Sequence, residues 1–241
     1  MDSISLLEQH HSYFNENTSN EVKRIFLNKM YLNLLPKLCI IGLSISTKNN
    51  SYIDLFLKTS FADGLFVILF YVLLISTAML YCNYNDISSY DNDISSYDIK
   101  PYTCIYTLCF SYLLTYLSSL SNIYFFEYCI VYLLSFNLSV ITYTYQKLYG
   151  FNYTNLIKIS FTTEFFIFTI LTFLNYVDYS LSAYLTSSII TTYLVWDTES
   201  MITSNNRKFN IKTNQYFLAP IVIYLDIFNI FPWIINTFTG R

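Results

Sequence analysis

The sequence predicts an all-α membrane protein: a bundle of seven transmembrane helices with the last helix at its centre. The first observation behind this is composition. The chain is 54% hydrophobic and only 12% charged, whereas soluble domains carry about 25% charged residues. The second is that the apolar residues gather into seven segments, each near the ~20 residues that span a bilayer as a helix. The third is the last of these segments, a lipid-compatible helix with one polar face. Such a helix belongs in the middle of a bundle or along a cavity.

The first segment covers roughly Lys29–Ser46 and follows the basic pair Lys23-Arg24. Residues 1–24 ahead of it read as a polar tail, and residues 25–241 as one multi-pass membrane domain. The tail has no short apolar run, so no cleaved signal peptide is expected. The second segment, Ala62–Cys82, is the cleanest by hydropathy. The third runs from about Tyr102 to Leu120 and begins after Pro101, at a favourable first-turn position. The fourth covers about Phe126–Tyr145, the fifth Leu156–Tyr176, the sixth Leu181–Thr203 and the seventh Tyr216–Phe238. Between the second and third, Asn85-Asp-Ile-Ser-Ser-Tyr-Asp91 is repeated as Asn92–Asp98. With no Gly and no terminal Glu it does not fit an EF-hand loop, and it reads as a solvated loop expanded by duplication.

Basic residues set the orientation. With the N-terminus in the cytosol, the cytosolic side holds Lys23, Arg24, Lys29, Lys100, Lys147, Lys158, Arg207, Lys208 and Lys212. The far side holds Lys37, Lys48, Lys58 and Arg241, so the excess favours N-terminus inside. Seven crossings then put the C-terminus outside; one re-entrant segment would put both ends inside.

Several chemistries lack their raw material. The cysteines Cys39, Cys82, Cys104, Cys109 and Cys129 lie in or beside apolar runs with no CxxC pair. His10 and His11 both fall in the polar tail. A zinc centre or a Cys–His pair has almost nothing to be built from, and an enzyme is not expected. Net charge is −3 with no basic cluster beyond Arg207-Lys208, which argues against nucleic acid as a partner. Aromatic residues reach 20%, a bias so general that no single aromatic carries weight.

The acids inside apolar segments are the informative residues, because a charge at mid-bilayer costs about 2.5–3.5 kcal/mol on insertion scales. Asp63 and Glu127 stand at expected helix starts, where a carboxylate favours the dipole. Glu164 is about two turns into the fifth segment, either paired with a neighbouring helix or protonated alone. Asp197 and Asp226 converge. The sixth and seventh segments are antiparallel, and Asp197 lies about 10 Å before Ser204 while Asp226 lies about 16 Å after Gln215. That difference is about one turn, so the carboxylates can meet. Asn229, Trp233 and Asn236 share the Asp226 face at helical spacing, lining a cavity or serving as interhelical polar glue. Pro220 and Pro232 bracket the acid and invite kinks. Two carboxylates in contact cannot both ionise cheaply unless a proton or a hard divalent ion such as Ca²⁺ neutralises them. Such a dyad senses pH: empty when protonated, cation-accepting when ionised.

At these residues the chain resembles the Bax inhibitor-1, or transmembrane Bax inhibitor motif, family with its Lifeguard and Golgi anti-apoptotic branches. Ile223-Tyr-Leu-Asp-Ile-Phe-Asn-Ile-Phe231 looks like the family's last-helix motif, and Tyr193-Leu-Val-Trp-Asp-Thr-Glu-Ser-Met-Ile202 like the one before it. Gln215-Tyr-Phe-Leu-Ala-Pro220 resembles the lead-in between them. Arg24-Ile-Phe-Leu-Asn-Lys-Met-Tyr31 is similar to the first-helix entry, and Lys100-Pro101 to the start of the third helix. The resemblance implies a seven-helix bundle with the seventh helix central. It further implies an Asp197–Asp226 dyad that senses pH, a Ca²⁺ leak across an internal membrane (endoplasmic reticulum or Golgi, the plasma membrane in a prokaryote), and restraint of cell death. Members with a characterised dyad carry a latch Arg at the end of the second helix. Here that end reads Met79-Leu-Tyr-Cys-Asn-Tyr-Asn-Asp86, without a basic residue, and the third helix has Cys109-Phe-Ser-Tyr112 where some branches carry Glu.

The leading expectation is therefore a pH-sensitive Ca²⁺ leak channel that needs no cofactor and takes Ca²⁺ as its transported ion. The alternative is a non-conducting membrane protein that inhibits apoptosis by binding other membrane proteins of the cell-death pathway. Intramembrane aspartyl proteolysis also needs two aspartates on adjacent helices. The glycines that accompany the second aspartate in those enzymes are missing around Asp226.

Overall fold

The computed structural model describes the backbone of residues 14, 18–89, 96–121, 125–146, 153–174, 177–203, 216, 219–220 and 222–223. Side chains are described over the same residues except 77–89, 96–102, 121 and 177–180. The described chain is helical throughout and contains no strand among those residues. Its elements are α1 (Asn20–Ser46), a 3-10 turn (Thr47–Asn49), α2 (Ser51–Leu57), α3 (Ser60–Ser89), α4 (Ser96–Ser121), α5 (Phe125–Tyr145), α6 (Tyr153–Phe173) and α7 (Val177–Thr203).

The first six predicted segments each fall on one helix, although the fifth reaches Phe173 rather than Tyr176 as helix. Most of the seventh lies outside the described residues; Ala219, Pro220, Val222 and Ile223 are helical. Three boundaries differ from expectation for local reasons. The first helix starts at Asn20 rather than near Lys29, because Ser19 caps it: its Oγ accepts the Val22 N–H at 3.3 Å. Phe14 and Val22, inside the expected polar tail, are buried, and Phe14 meets the edge of Phe26 at 4.8 Å. The helices also run into the duplicated Asn-Asp-Ile-Ser-Ser-Tyr-Asp stretch, to Ser89 and from Ser96, since no Gly or Pro interrupts it. Pro101 consequently stands inside α4 rather than in its first turn. Finally, α2 is a seven-residue helix that hydropathy alone did not mark. Asn50 caps it by accepting the Tyr52 N–H at 3.1 Å.

Four described stretches are long and apolar enough to cross a membrane: Asn20–Asn49, Thr103–Leu120, Phe125–Tyr145 and Tyr153–Phe173. A fifth crossing arises if Ser51–Leu57 and Ser60–Ser76, bent by 72°, form one broken span. The described chain is thus all-helical, with four or five stretches long and apolar enough to cross a membrane. The helix α7 has 27 residues, yet it is not among these stretches. Its run of Ser and Thr, with Asp197 and Glu199, dilutes the apolar content.

Two compact units share these helices. One comprises Met1–Leu35, Ser135–Ile167 and Thr186–Arg241, and the other Pro36–Leu134 and Phe168–Leu185. In the second unit Ile41, Ile45 and Ile130 form a core flanked by Phe110, Leu114 and Leu133. Gly42 lets α1 approach closely there, for a Cβ in its place would stand 3.0 Å from Ile130 Cγ2. A second cluster joins Leu57, Ala62 and Tyr116. Polar links sit beside it. The Tyr116 hydroxyl donates to Asp63 in the first turn of α3, and Tyr112 donates to the Ala62 carbonyl at 3.1 Å. Lys48 donates to Ser118 Oγ at 2.7 Å and pairs with Glu127, in the first turn of α5, at 3.6 Å. Cys39, Cys104, Cys109 and Cys129 are free thiols, the last two buried.

Candidate functional site

The Met1–Leu35, Ser135–Ile167 and Thr186–Arg241 unit carries the site residues that the structure describes. Its helices interlock through Tyr31, a fully buried α1 side chain. The Tyr31 ring meets Phe136 of α5 edge-on at 5.8 Å, and its hydroxyl shares a 3.0 Å hydrogen bond with Thr198 Oγ1 of α7. Three residues earlier on α1, Asn28 donates to Thr144 Oγ1 of α5 at 3.0 Å. These two contacts run in opposite directions along the chain, so α1 and α5 are antiparallel here.

Asp197 precedes Thr198 and is only 3% exposed. That burial puts its carboxylate on the inner side of α7 rather than on the outer surface. Neighbouring Trp196 is 61% exposed. The helical period thus turns a large apolar side chain outward and the acid inward.

Glu164 lies further along α6 and is completely buried. Of the two alternatives open from sequence, it takes the paired one. Ser188 donates to its Oε2 at 3.0 Å and Thr191 donates to its Oε1, both from α7. No basic side chain pairs with it among the described residues. Thr191 and Asp197 are six residues apart on one helix, about 9 Å along its axis. A single helix therefore carries the Glu164 partners and the Asp197 cluster in sequence.

Asp226, Asn229, Trp233 and Asn236 lie outside the described residues. Asp197 is placed, and its proposed partner is not. Among the described residues no group of three or more His, Cys, Asp or Glu comes together. The Ca²⁺-ligating expectation rests on the two aspartates alone.

Sequence reasoning missed Tyr31, Asn28 and Asn137. Asn137 of α5 is 0% exposed, and neither its Nδ2 nor its Oδ1 has a hydrogen-bond partner among the described residues. The signal was an amide in the middle of an apolar run, the same kind of signal that drew attention to the acids. Tyr31 gave none, being one tyrosine among many. No protein-family model matches the chain, and neither a curated protein nor a solved structure matches it.

Proposed function

We propose that this protein is a pH-sensitive Ca²⁺ leak channel of an internal membrane, with a restraining effect on cell death. In this reading six membrane-spanning helices surround a central seventh, and Asp226 on that last helix meets Asp197. Protonation closes the pair; ionisation opens it to Ca²⁺. The observation that carries the reading is Asp197: a carboxylate turned inward on α7, nearly inaccessible, beside Tyr31 and Thr198. A buried acid in a membrane bundle requires a partner or an ion. The motif that follows it in sequence supplies the second acid one helix later. With four or five other stretches able to cross the bilayer, the setting is a membrane interior.

The decisive measurement is Ca²⁺ efflux from proteoliposomes at mildly acidic and mildly alkaline pH. Wild-type protein should leak faster at the alkaline pH, where the pair is ionised. Asp197→Asn and Asp226→Asn should each abolish the pH dependence. Flux that keeps its pH response in both variants sinks the proposal.

The second reading is a non-conducting protein that restrains cell death by binding membrane partners. The second predicted segment favours it, because Met79–Asp86 holds no basic residue to latch the dyad. Protection from death that survives loss of both aspartates would identify this reading.

A further inference from the structure

The short helix α2 joins the end of one membrane-crossing stretch to the start of the next long helix. We propose that α2 lies in the plane of the membrane as an interfacial anchor. Its outer face, Tyr52, Leu55 and Phe56 with Phe61 across the bend, sinks among the lipid headgroups and upper acyl chains. In this arrangement α3 crosses the bilayer alone.

The neighbouring helices set the position. Asn20–Asn49 is long enough to cross, so its last turn reaches a membrane surface. The Thr47–Asn49 turn there is polar, with Lys48 held by Ser118 and Glu127. Helix α2 begins two residues later and is about 10 Å long, far short of a ~30 Å hydrocarbon core. Helix α3 has 30 residues, about 45 Å, and needs none of α2 for its own crossing. The two axes are bent by 72°, so α2 lies nearly in the membrane plane when α3 stands along the normal. The corner is held by hydrogen bonds. The Thr59 hydroxyl donates to the Phe56 carbonyl at 2.7 Å and accepts the Ala62 N–H at 3.3 Å. One side chain thus closes α2 and caps α3.

The side chains of α2 select the occupant of its outer face. On the inner face Leu57 is buried with Ala62 and Tyr116, and Ile53 packs against them. The outer face is apolar too: Tyr52 is 84% exposed and Leu55 69%, with Phe56 beside them at helical spacing. Phe61, 70% exposed, meets the edge of Phe56 at 6.1 Å, and exposed Val67 and Ile68 carry the apolar surface on along α3. A surface this apolar and this continuous with a membrane helix belongs against lipid. The flank fixes its depth. Asp54 and Lys58 pair at 2.6 Å with both side chains exposed, and charges are expelled from the bilayer centre. An apolar face with a tyrosine and a charged flank fits the layer between water and hydrocarbon. Because Asp54 and Lys58 neutralise each other, the face takes the interface of a zwitterionic bilayer and needs no anionic headgroup.

This placement is independent of the dyad, and no flux enters its test. The full-length protein is placed in phosphatidylcholine nanodiscs whose lipids carry bromine either near the headgroup or near the chain end. Leu55→Trp and, as a deeper reference, Ile68→Trp are made with Trp196→Phe and Trp233→Phe, which remove the chain's own two tryptophans. Ile68 lies about 12 Å along α3 from Ser60. Emission from position 55 should be quenched more by the shallow bromine than by the deep one, with the order reversed at 68. Adding phosphatidylserine should leave both ratios unchanged. Stronger deep quenching at 55 makes α2 part of a broken span and overturns the proposal. So does the absence of lipid quenching there, which means that a protein surface such as a second copy covers the face. Quenching at 55 that requires phosphatidylserine overturns it as well, since charge would then be what is recognised. Wild-type protein supplies a check free of substitutions. In the same nanodiscs a membrane-impermeant sulfonated succinimidyl ester, mapped by mass spectrometry, should modify Lys58 and spare Lys37, which is buried in α1. Lys58 as protected as Lys37 also overturns the proposal.

Discussion

The two compact units bury polar groups in different ways. In the unit built on Pro36–Leu134 and Phe168–Leu185, the hydroxyls along α4 turn back on their own helix. Thr107 donates to the Thr103 carbonyl at 2.8 Å, Ser111 to Thr107 at 2.6 Å and Thr115 to Ser111 at 2.7 Å. These groups are satisfied locally and behave as small packing residues. The links between helices in that unit involve helix starts and the turn after α1, as with Asp63, Glu127 and Lys48. In the unit that carries Asp197, buried hydroxyls such as Ser139, Ser160 and Thr198 also turn back on their own helix, but other polar side chains reach across helix interiors. Asn28 bonds to Thr144, Tyr31 to Thr198, and Ser188 and Thr191 to Glu164. Polarity that stays on one helix is compatible with structure alone. Polarity that is shared between helices, with an acid among its members, is the arrangement an ion site needs.

The sharpest way to break the comparison is volume in the first of these units. A Cβ at Gly42 would already press on Ile130 Cγ2 at 3.0 Å, so Gly42→Leu must push α1 away from α5. We expect a loss of about 1–3 kcal/mol in unfolding free energy, the usual cost of overpacking. Chemical denaturation in detergent micelles reads it directly. Wild-type stability in Gly42→Leu would mean that this seam is not closely packed, and the contrast between an apolar unit and a polar one would lose its first half.

A finer test lies in the other unit. Tyr31→Phe and Thr198→Val each remove one side of a buried hydrogen bond, and their double-mutant cycle isolates the pair. Interhelical hydrogen bonds in membrane proteins couple by about 0.6 kcal/mol on average and up to ~1.7. The Thr198 hydroxyl also donates to the Leu194 carbonyl at 2.6 Å, so it keeps a partner when Tyr31 is lost. The coupling should therefore lie near the average rather than near the upper end. A coupling of zero would reduce the Tyr31–Thr198 link to incidental proximity.

These tests fall on residues that the sequence revealed unequally. Helices α1 and α3–α7 were legible because apolar runs of about 20 residues give a strong signal for a membrane-spanning helix. Local chemistry decided the ends: Ser19 and Asn50 are caps visible only once the helix is known to begin there. The two acids Asp197 and Glu164 were legible because charge in an apolar run is conspicuous. Which partners they would find was not. Glu164 meets Ser188 and Thr191 after a chain reversal, and no local pattern encodes that encounter. Asn28 and Asn137 were readable by the same rule as the acids, but a neutral amide costs less to bury and stood out less. Tyr31 was hidden by composition, since a chain with 25 tyrosines offers no reason to choose one.

The smallest expected effect is also the one that protects the comparison from circularity. Thr107, Ser111 and Thr115 are buried as completely as many residues near Asp197, so burial alone cannot separate the two units. The difference claimed is where each hydroxyl sends its proton. A hydroxyl that donates to the carbonyl four residues back adds a bond to an acceptor already used by the helix ladder. Removing it should cost little, because no partner on another helix is stranded. Ser111→Ala should accordingly change unfolding free energy by no more than about 0.5 kcal/mol. Thr191→Val, by contrast, strips a donor from the buried Glu164 carboxylate and should cost about 1–3 kcal/mol. Equal losses in the two variants would show that the α4 stripe shares its hydroxyls between helices as well. The two units would then differ in the presence of an acid and not in the design of their polar interiors.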